Sequence, residues 1–536
     1  MTDQDLDPIS AGTLHSRLGY LIWVSGDGES AIAEHQIAVR LVPETPPTPE
    51  RARVLASLGG ALMGEGRYAE SRPVCEAAIA CAVAADAPAE ESRARNVLGS
   101  DLVGLGHIDE GLAELRQARE IAQRAASSDV IVVAHHNLAL NLAQADHLDE
   151  ALAEARDGLG VARRAGLERR FGQDLAALIG DSLLRLGRWV EADQAIRDGL
   201  ALAQRRMVTT YLSAVWARLL ALRGDVDDAE KRLSTIDRPS LDPDVAAFVG
   251  QVRAEAALAG GRPEQGMSAA AEGLDSMAGL EDALWSPPLV ALGLRSLGEL
   301  AEMARAMHDD AAVEASRRQA EPLVAHATEL ATSASTRSAR AWLATARGEA
   351  ARVTGQPDVE AWRSAVDLWA GVPDPYQVAI ARLRLAEAIL RTKGIRADVA
   401  ELLRSANATA AALGAAPLQR EIEGLAGRAR IALDADDAAT AAVPAAGPHD
   451  KVVAPAGQNP LRRFGLSARE IEVLRLVAAG QSNGEIGKRL FITRKTAAVH
   501  VTHILDKLGV SNRVEAAMIA ARLGLADDED DASTAN

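Results

Sequence analysis

The chain of 536 residues is 48% hydrophobic and 25% charged, and its formal net charge is −17. This length and composition exclude a disordered chain and indicate a soluble protein with several domain-sized units. No apolar run reaches the roughly 18 residues of a membrane-spanning helix, and because the start MTDQDLDPIS is acidic and polar we expect no signal peptide. Cys75 and Cys81 fit no CxxC spacing and indicate two buried thiols in a reducing compartment. We therefore expect a cytoplasmic protein that makes no membrane contact.

A short phrase recurs along the first half of the chain and separates stretches of helix-forming residues. Its glycine predicts the left-handed end of one helix, and the acidic residue that follows predicts the start of the next. Successive copies are 37 to 42 residues apart. Helix–turn–helix units at a nearly fixed period predict an α-solenoid. The copies are GDGESA at Gly26, GRYAES at Gly66, GHIDEG at Gly106, ADHLDEA at Ala145, GRWVEA at Gly187, GDVDDA at Gly224 and GRPEQG at Gly261.

The period blurs between Pro263 and Gly355 and then returns with GQPDVEA at Gly355 and GIRADVA at Gly394. The phrase resembles tetratricopeptide-like repeats, although its period is longer than their usual ~34 residues. Such an array favours a surface that binds a protein or a small molecule. A structural spacer is the alternative.

Motifs for chemistry are weak within this array. GRPEQGMS, from Gly261, has the spacing of a phosphate-binding loop, but Met267 stands where the phosphate-pairing lysine belongs. His135 and His136 lack metal-ligand partners at helical spacing. No nucleophile and base are paired. We therefore predict no enzymatic activity, no cofactor and no metal.

Charge and composition change after the array. Residues 433–459, LDADDAATAAVPAAGPHDKVVAPAGQN, lose apolar periodicity and predict a flexible linker. Residues 460–524 carry a net charge of +6, whereas residues 1–459 carry −18 and residues 525–536 carry −5. A basic module on an acidic body is typical of a nucleic-acid-binding domain with a separate regulatory body, and a solvated cationic face is the alternative.

Residues 460–524 contain start and stop signals for four helices. SARE at Ser467–Glu470 and SNGE at Ser482–Glu485 are capping boxes, and Thr493 is a cap for the third helix. NRVE at Asn512–Glu515 opens a fourth helix. Glycines close three of the helices, at Gly480, Gly509 and Gly524. A short helix, a tight turn and a longer helix with a cationic start predict a helix-turn-helix.

The third helix has two distinct faces. Its buried stripe is predicted to contain Ala497, Val501, Ile504 and Leu508, with Leu505 beside them. The opposite face carries small uncharged side chains that let a helix approach base edges in the major groove. A helical cap on the solenoid is the alternative. The outward residues are Lys495, Ala498, Val499, Thr502 and Asp506, with His503 at the border and His500 flanking the core.

Residues 463–524 resemble the C-terminal DNA-binding domain of the LuxR/NarL/FixJ family. The motifs that carry the resemblance are LSAREIEVL, GQSNGEIG, ITRKTAAVHVTHIL, KLGV and NRVEA. Gly487, Ala497 and Ala498 depart from the common alanine, valine and base-contacting lysine, and Asn512-Arg513-Val514 replaces the usual Ser-Arg-Thr. Residues 16–430 resemble the helical arm of the LAL or MalT-like large regulators, whose ATPase domain is missing here. We expect a natural short form or a truncated reading frame.

The resemblance implies roles for individual residues. It also implies a homodimer on double-stranded DNA with paired half-sites, and contact with RNA polymerase. The base-reading candidates are Ala498, Val499 and Thr502, to which Arg494 and His503 are added because Ala498 replaces a base-contacting lysine. The phosphate-binding candidates are Lys495, Thr496, Ser482, Asn483 and Thr493. The candidates for the dimer seam are Val514, Ala517 and Met518.

The resulting prediction is an all-α chain with four regions. Residues 1–432 form a TPR-like input region, 433–459 a linker, 460–524 a LuxR-type helix-turn-helix domain and 525–536 an acidic disordered tail. The expected function is a bacterial sequence-specific transcriptional regulator, an activator, whose repeat array senses a protein or small-molecule inducer. The alternative is a protein-interaction scaffold whose helix-turn-helix domain binds protein rather than DNA.

Overall fold

The computed structural model describes residues 7–203, 209–236, 241–280, 284–392, 395–433, 466, 468–479, 481–490, 493–508, 516–517 and 520. Every regular element among these residues is an α-helix, which confirms the all-α prediction. The chain divides into two compact units, Met1–Gln419 and Arg420–Asn536. In the described part of the chain, no helix combines the length and the apolar character that crossing a bilayer requires.

The first unit is a series of helical hairpins. Each odd-numbered helix packs against the next helix in the chain, and successive odd-numbered helices also contact one another, as in α3 with α5 and α15 with α17. This arrangement confirms the predicted α-solenoid. The helices are α1 (Pro8–Val24), α2 (Gly28–Leu41), α3 (Pro49–Gly64), α4 (Tyr68–Ala84), α5 (Pro88–Gly104), α6 (Ile108–Ala125), α7 (Ser128–Gln144), α8 (Leu148–Arg164), α9 (Glu168–Arg185), α10 (Trp189–Ala203), α11 (Thr210–Arg223), α12 (Val226–Leu233), α13 (Pro243–Ala259), α14 (Pro263–Ser276), α15 (Ser286–Ala306), α16 (Asp310–Leu330), α17 (Arg337–Thr354), α18 (Val359–Ala370), α19 (Pro375–Arg391) and α20 (Arg396–Leu413). A further helix, α21 (Ala416–Ala429), contains the boundary between the units.

The hairpin turns have the predicted backbone conformation. Gly66 has φ of +68°, and the N–H of Arg67 donates to the carbonyl of Leu62, which is the Schellman pattern. Gly26, Gly106, Gly187, Gly224, Gly261 and Gly355 also have positive φ. In the fourth turn the left-handed residue is Asp146, with φ of +68°. Its carboxylate accepts hydrogen bonds from Arg185 and from the backbone N–H of Ser338. Gly394 lies outside the described residues.

The repeat continues through the region where the sequence period blurs. Helices α15 and α16 are each 21 residues long, and their turn places His308 at φ of +56°. Because histidine occupies the position that glycine holds elsewhere, the phrase is not recognisable there. The next helix still begins with Asp310 in its first turn, as in the other copies.

Small residues set the spacing within hairpins. A Cβ atom on Gly111 would lie 2.6 Å from the carbonyl oxygen of Gly99, and a Cβ atom on Gly99 would lie 2.8 Å from that of Gly111. Real Cβ atoms do not approach a backbone atom this closely, so α5 and α6 pack closely only because both positions are glycine.

The second unit contains three described helices after α21. They are α22 (Ala468–Ala478), α23 (Asn483–Leu490) and α24 (Arg494–Leu508). Their shared core also includes Ala516 and Ala520, from the segment predicted as a fourth helix. The described residues of that segment, 516, 517 and 520, are helical. Its start at Asn512–Glu515 and its end at Gly524 lie outside the described residues, as do Gly480, Gly509, the linker from residue 434 onward and the acidic tail.

Candidate nucleic-acid interface

The start of α23 is a capping box. The hydroxyl and the backbone N–H of Ser482 both donate to Glu485 Oε2 at 2.7 Å, and the N–H of Glu485 lies 3.4 Å from Ser482 Oγ. These hydrogen bonds lower the pKa of Glu485, so its side chain is a carboxylate at neutral pH. The predicted cap is confirmed, and the donors of Ser482 already have an anionic partner.

The start of α24 is capped by Thr493. The N–H of Thr496 donates to Thr493 Oγ1 at 3.0 Å, and the two threonine hydroxyls are 2.8 Å apart. Both side chains are exposed. One of the two hydroxyls donates to the other, so one O–H remains for a further acceptor.

The predicted stripe of α24 is buried. Ala497, Val501, Ile504 and Leu508 belong to the core of the second unit, and Leu505 packs at its edge. Ile486 of α23 and Val473 and Leu474 of α22 complete this core. Because one face of α24 is fixed in this way, its opposite face is directed away from the domain.

The opposite face is accessible and carries both apolar and polar side chains. Val499 exposes 41% of its surface. Thr502 and His503 are exposed, whereas Ala498 and His500 are half-buried. The hydroxyl of Thr502 donates to the carbonyl of Ala498 at 3.1 Å, which leaves the oxygen of that hydroxyl free to accept.

Two polar contacts hold the three helices together, and sequence reasoning did not predict either. Arg469 Nη2 donates to the carbonyl of Leu490 at 2.6 Å. Lys507 Nζ lies 2.7 Å from the buried carboxylate of Glu470 and so connects α24 to α22. The only sequence signal was a charged pair of opposite sign 37 residues apart. Lys507 is therefore occupied within the domain.

Some predicted site residues are described only in part. The backbones of Arg494 and Lys495 form the first turn of α24, but their side chains lie outside the described residues. Asn483 is the first residue of α23 and is half-buried. Ala517 packs at the edge of the domain core. Val514 and Met518 lie outside the described residues.

Comparison with known proteins identifies this module. Residues 465–520 match the family model described as bacterial regulatory proteins, luxR family. The transcriptional regulatory protein LiaR of Bacillus subtilis is 52% identical over 66 residues, which are 12% of this chain and 31% of LiaR. The putative HTH-type transcriptional regulator Rv0890c of Mycobacterium tuberculosis is 44% identical over 68 residues, which are 12% of this chain and 8% of that protein. The chain therefore spans a third or less of these relatives.

The fold and the site define the module as a helix-turn-helix domain. This domain belongs to the luxR family of bacterial regulatory proteins. The chain is also similar to a solved Rap protein complexed with competence and sporulation factor, with a TM-score of 0.43, 14% identity and coverage of 52% of this chain and 76% of that chain. Aspartyl phosphate phosphatase F from Bacillus subtilis has a TM-score of 0.40 and 14% identity, and covers 49% of this chain and 70% of that chain. Similarity at this level does not identify a shared function.

The first unit contains a large groove with unpaired polar atoms. Its volume is about 1080 Å³, and residues of α1, α3, α5 and α7 line it. Trp23, Glu90 and Asn96 line this groove, and their buried atoms Trp23 Nε1, Glu90 Oε2 and Asn96 Oδ1 have no hydrogen-bond partner in the described part of the chain. Glu90 Oε2 lies 3.7 Å from Arg93 Nε and so has an ion-pair partner. Buried polar atoms without partners are rare in folded proteins. This groove is therefore a candidate binding surface.

Proposed function

We propose that this chain is a non-enzymatic, cytoplasmic, DNA-binding transcriptional regulator. The observation that carries the proposal is the two-sided character of α24, which buries Ala497, Val501 and Ile504 and exposes Val499 and Thr502. A helix of this kind, presented by a helix-turn-helix, fits the major groove with its N-terminal residues toward the bases.

The exposed face suggests how bases are read. Ala498 is small enough for the helix backbone to approach, and the methyl groups of Val499 suit the methyl group of thymine. Thr502 would accept a hydrogen bond from adenine N6 or cytosine N4, because its own proton is directed to the Ala498 carbonyl. Arg494 and His503 are further base-reading candidates.

Phosphate binding would fall at the starts of α23 and α24, where free N–H groups and the helix dipole favour anions. Lys495, Thr493 and Thr496 are the candidates at α24. At α23 the candidates are Ser482 and Asn483, but Ser482 already binds the Glu485 carboxylate. Ser482 would therefore have to exchange Glu485 for a phosphate.

Assembly and regulation complete the proposal. The chain would bind paired half-sites as a homodimer with Val514, Ala517 and Met518 at the seam, and would activate transcription through RNA polymerase. Residues 1–432 would be the input region, 433–459 the linker, 460–524 the DNA-binding domain and 525–536 the tail. The polar groove of the first unit supports a role in binding a protein or small-molecule inducer. The same groove would serve the alternative, a scaffold whose helix-turn-helix domain binds protein.

Salt-dependent binding of the full chain to DNA tests the proposal. Bound duplexes are first selected from a random pool, and affinity is then measured by fluorescence anisotropy at several salt concentrations. We expect Lys495→Ala to weaken binding to selected and scrambled duplexes alike and to reduce the slope of log K against log salt by about 0.9, since one phosphate contact is lost.

Lys231→Ala is the matched control. Lys231 is an exposed lysine of α12 in the first unit, where it pairs with Asp228. This change is expected to leave both affinity and slope unchanged. A wild-type chain that enriches no duplex and shows no salt dependence would contradict the proposal and would favour the scaffold alternative.

A further inference from the structure

A second, smaller cavity lies within the first unit beside the groove of α1 to α7, and the two share Leu140, Gln144, Leu284 and Trp285 in their linings. Its volume is about 110 Å³, and it is enclosed by residues of α7, α9, α11, α13, α15, α17 and α18 together with Asp374, the N-cap of α19. Both charged and aromatic side chains line it. A cavity needs only about 10–15 Å³ to hold a water molecule, so this one has room for a small organic molecule.

The positive charges of this cavity are already paired. Arg218 donates through Nε and Nη2 to both oxygens of Glu255, at 2.7 and 3.1 Å. Arg185 donates to the carbonyl of Ala143 and to Asp146 Oδ1, at 2.6 and 3.1 Å. Neither guanidinium is therefore available as the main partner of an anionic ligand.

The negative charges are in excess. Asp181 and Asp374 line the cavity, and each is only 7% exposed. Asp181 Oδ1 receives one long hydrogen bond from Arg218, at 3.3 Å. Asp374 Oδ1 accepts the N–H of Gln377, and no cation lies within ion-pair distance of Asp374 in the described part of the chain. The second oxygen, Oδ2, of each aspartate has no hydrogen-bond partner among the described residues.

The charge count supports the same conclusion. The cavity lining and its ion-pair partners contribute the carboxylates of Asp146, Asp181, Glu255 and Asp374 and two guanidiniums, an excess of two negative charges among the described residues. A buried charge without a partner is costly, so the Asp374 carboxylate, which has no ion-pair partner among the described residues, is stabilised by a cation.

Aromatic rings form the walls. The rings of Tyr211 and Phe248 have centroids 5.1 Å apart, and those of Trp342 and Trp369 lie 5.2 Å apart at 89°. The negative face of an aromatic ring attracts ammonium groups, and the attraction is greater when water is excluded. Apolar walls with acidic groups suit an alkylammonium ion better than a hydrated metal ion, which requires several oxygen ligands.

We propose that this cavity binds a small primary ammonium ion of about five non-hydrogen atoms, with its N–H groups directed to Asp181 and Asp374 and its alkyl chain against the aromatic walls. The size follows from the volume, because a cavity of about 150 Å³ accommodates a benzene molecule. Such an amine would be an effector of the repeat array, and in that role the inference extends the proposed function. The binding itself does not depend on DNA.

Asp374 is suited to this role at neutral pH. Its carboxyl group faces Arg185, Arg218 and Glu255, and burial raises its pKa to about 6. Because a bound ammonium ion favours the carboxylate, affinity should fall as the pH decreases through about 6.

Isothermal titration calorimetry of the full chain tests the site, with n-butylamine as the probe and 1-butanol as its uncharged counterpart of equal size. We expect n-butylamine to bind with a dissociation constant below about 1 mM at pH 7.5, within the limit for so small a ligand. The alcohol should bind at least about tenfold more weakly, since it lacks the charge.

Asp374→Asn and Asp181→Asn should each lower the affinity for n-butylamine at least about tenfold, because each removes one charge from the buried site. Asn keeps the helix cap at residue 374, and Asp374→Asn should also abolish the loss of affinity below pH 6. Asp157→Asn, an exposed position on α8, is the control and should leave affinity unchanged.

Three outcomes would overturn the inference: no heat from n-butylamine, equal affinity for the alcohol, or unchanged affinity in both aspartate variants with folding verified by circular dichroism. None of these measurements involves DNA. Their failure would therefore leave the DNA-binding proposal standing, and failure of DNA binding would leave the amine site standing.

Discussion

Thr502 combines exposure with a hydroxyl whose proton is already committed to the Ala498 carbonyl. In that state its hydroxyl oxygen can accept a hydrogen bond, but the hydroxyl has no proton to donate to an acceptor on a base. Thr502→Val keeps the shape and removes the acceptor. We expect it to reduce the affinity for a selected duplex by about 1–3 kcal/mol and to leave the affinity for scrambled duplexes unchanged, as measured by anisotropy.

Thr502→Ser is the corresponding control, since it retains the hydroxyl. It should preserve most of the preference for the selected duplex. Equal losses on selected and scrambled duplexes for Thr502→Val would mean that Thr502 contributes to general affinity and does not read a base.

Asp101 is a buried acid whose charge opposes folding. Its side chain is 0% exposed, and Oδ1 has no hydrogen-bond partner among the described residues. Burial raises the pKa of Asp101 to about 8, and burial together with Asp101 raises the pKa of Cys75 to about 12. The unfolded chain ionises Asp101 near pH 4, so its contribution to stability is full below that pH and is lost as the pH rises through about 8.

We therefore expect the free energy of unfolding of the wild type to fall between pH 5 and pH 9. Asp101→Asn should reduce this fall by an amount on the order of a few kcal/mol at pH 9. Circular dichroism at fixed urea concentrations measures it. Asp198→Asn, at an exposed position on α10, should keep the wild-type pH dependence. An identical fall in wild type and Asp101→Asn would show that Asp101 is not the responsible group.

At the scale of the element, α24 has one face that stabilises the domain and one that is free to bind. Ile504 is fully buried, whereas Val499 is 41% exposed. Ile504→Ala should lower the free energy of unfolding of the second unit by about 2–5 kcal/mol, and Val499→Ala should change it by less than about 0.5 kcal/mol. Val499→Ala should still weaken DNA binding. Thermal unfolding followed by circular dichroism separates the two variants, and comparable losses of stability would show that Val499 is also part of the core.

The faces of α24 were predictable because a helix repeats every 3.6 residues, so one buried stripe determines the direction of every other side chain. The caps at Ser482 and Thr493 were predictable because capping depends on neighbours in sequence. The contact between Lys507 and Glu470 was not, since it depends on how two helices cross. The hydrogen bond from the Ser482 hydroxyl to Glu485 was predictable from the capping box. The sequence did not show that this bond competes with phosphate binding at Ser482.

At the scale of the whole molecule, the hairpin series was predictable because glycine at a left-handed position is a local requirement. His308 adopts the left-handed conformation although it is not a glycine, so the repeat at this position was not recognised from the sequence. The groove and the smaller cavity described above could not be predicted. They depend on which side chains from distant hairpins meet, as when Asp181 and Asp374 reach one space from positions 193 residues apart.

Asp146 accepts a hydrogen bond from the N–H of Ser338, which lies 192 residues further along the chain. In an open repeat array each helical hairpin contacts only the neighbouring hairpins, and such a protein unfolds gradually from either end. The hydrogen bond between the fourth turn and the start of α17 links two hairpins that are far apart in sequence. The hairpins between them therefore lie within a closed loop of the chain. Heat or mechanical force must break this hydrogen bond before the linked hairpins separate. The segment from Asp146 to Ser338 should therefore unfold cooperatively.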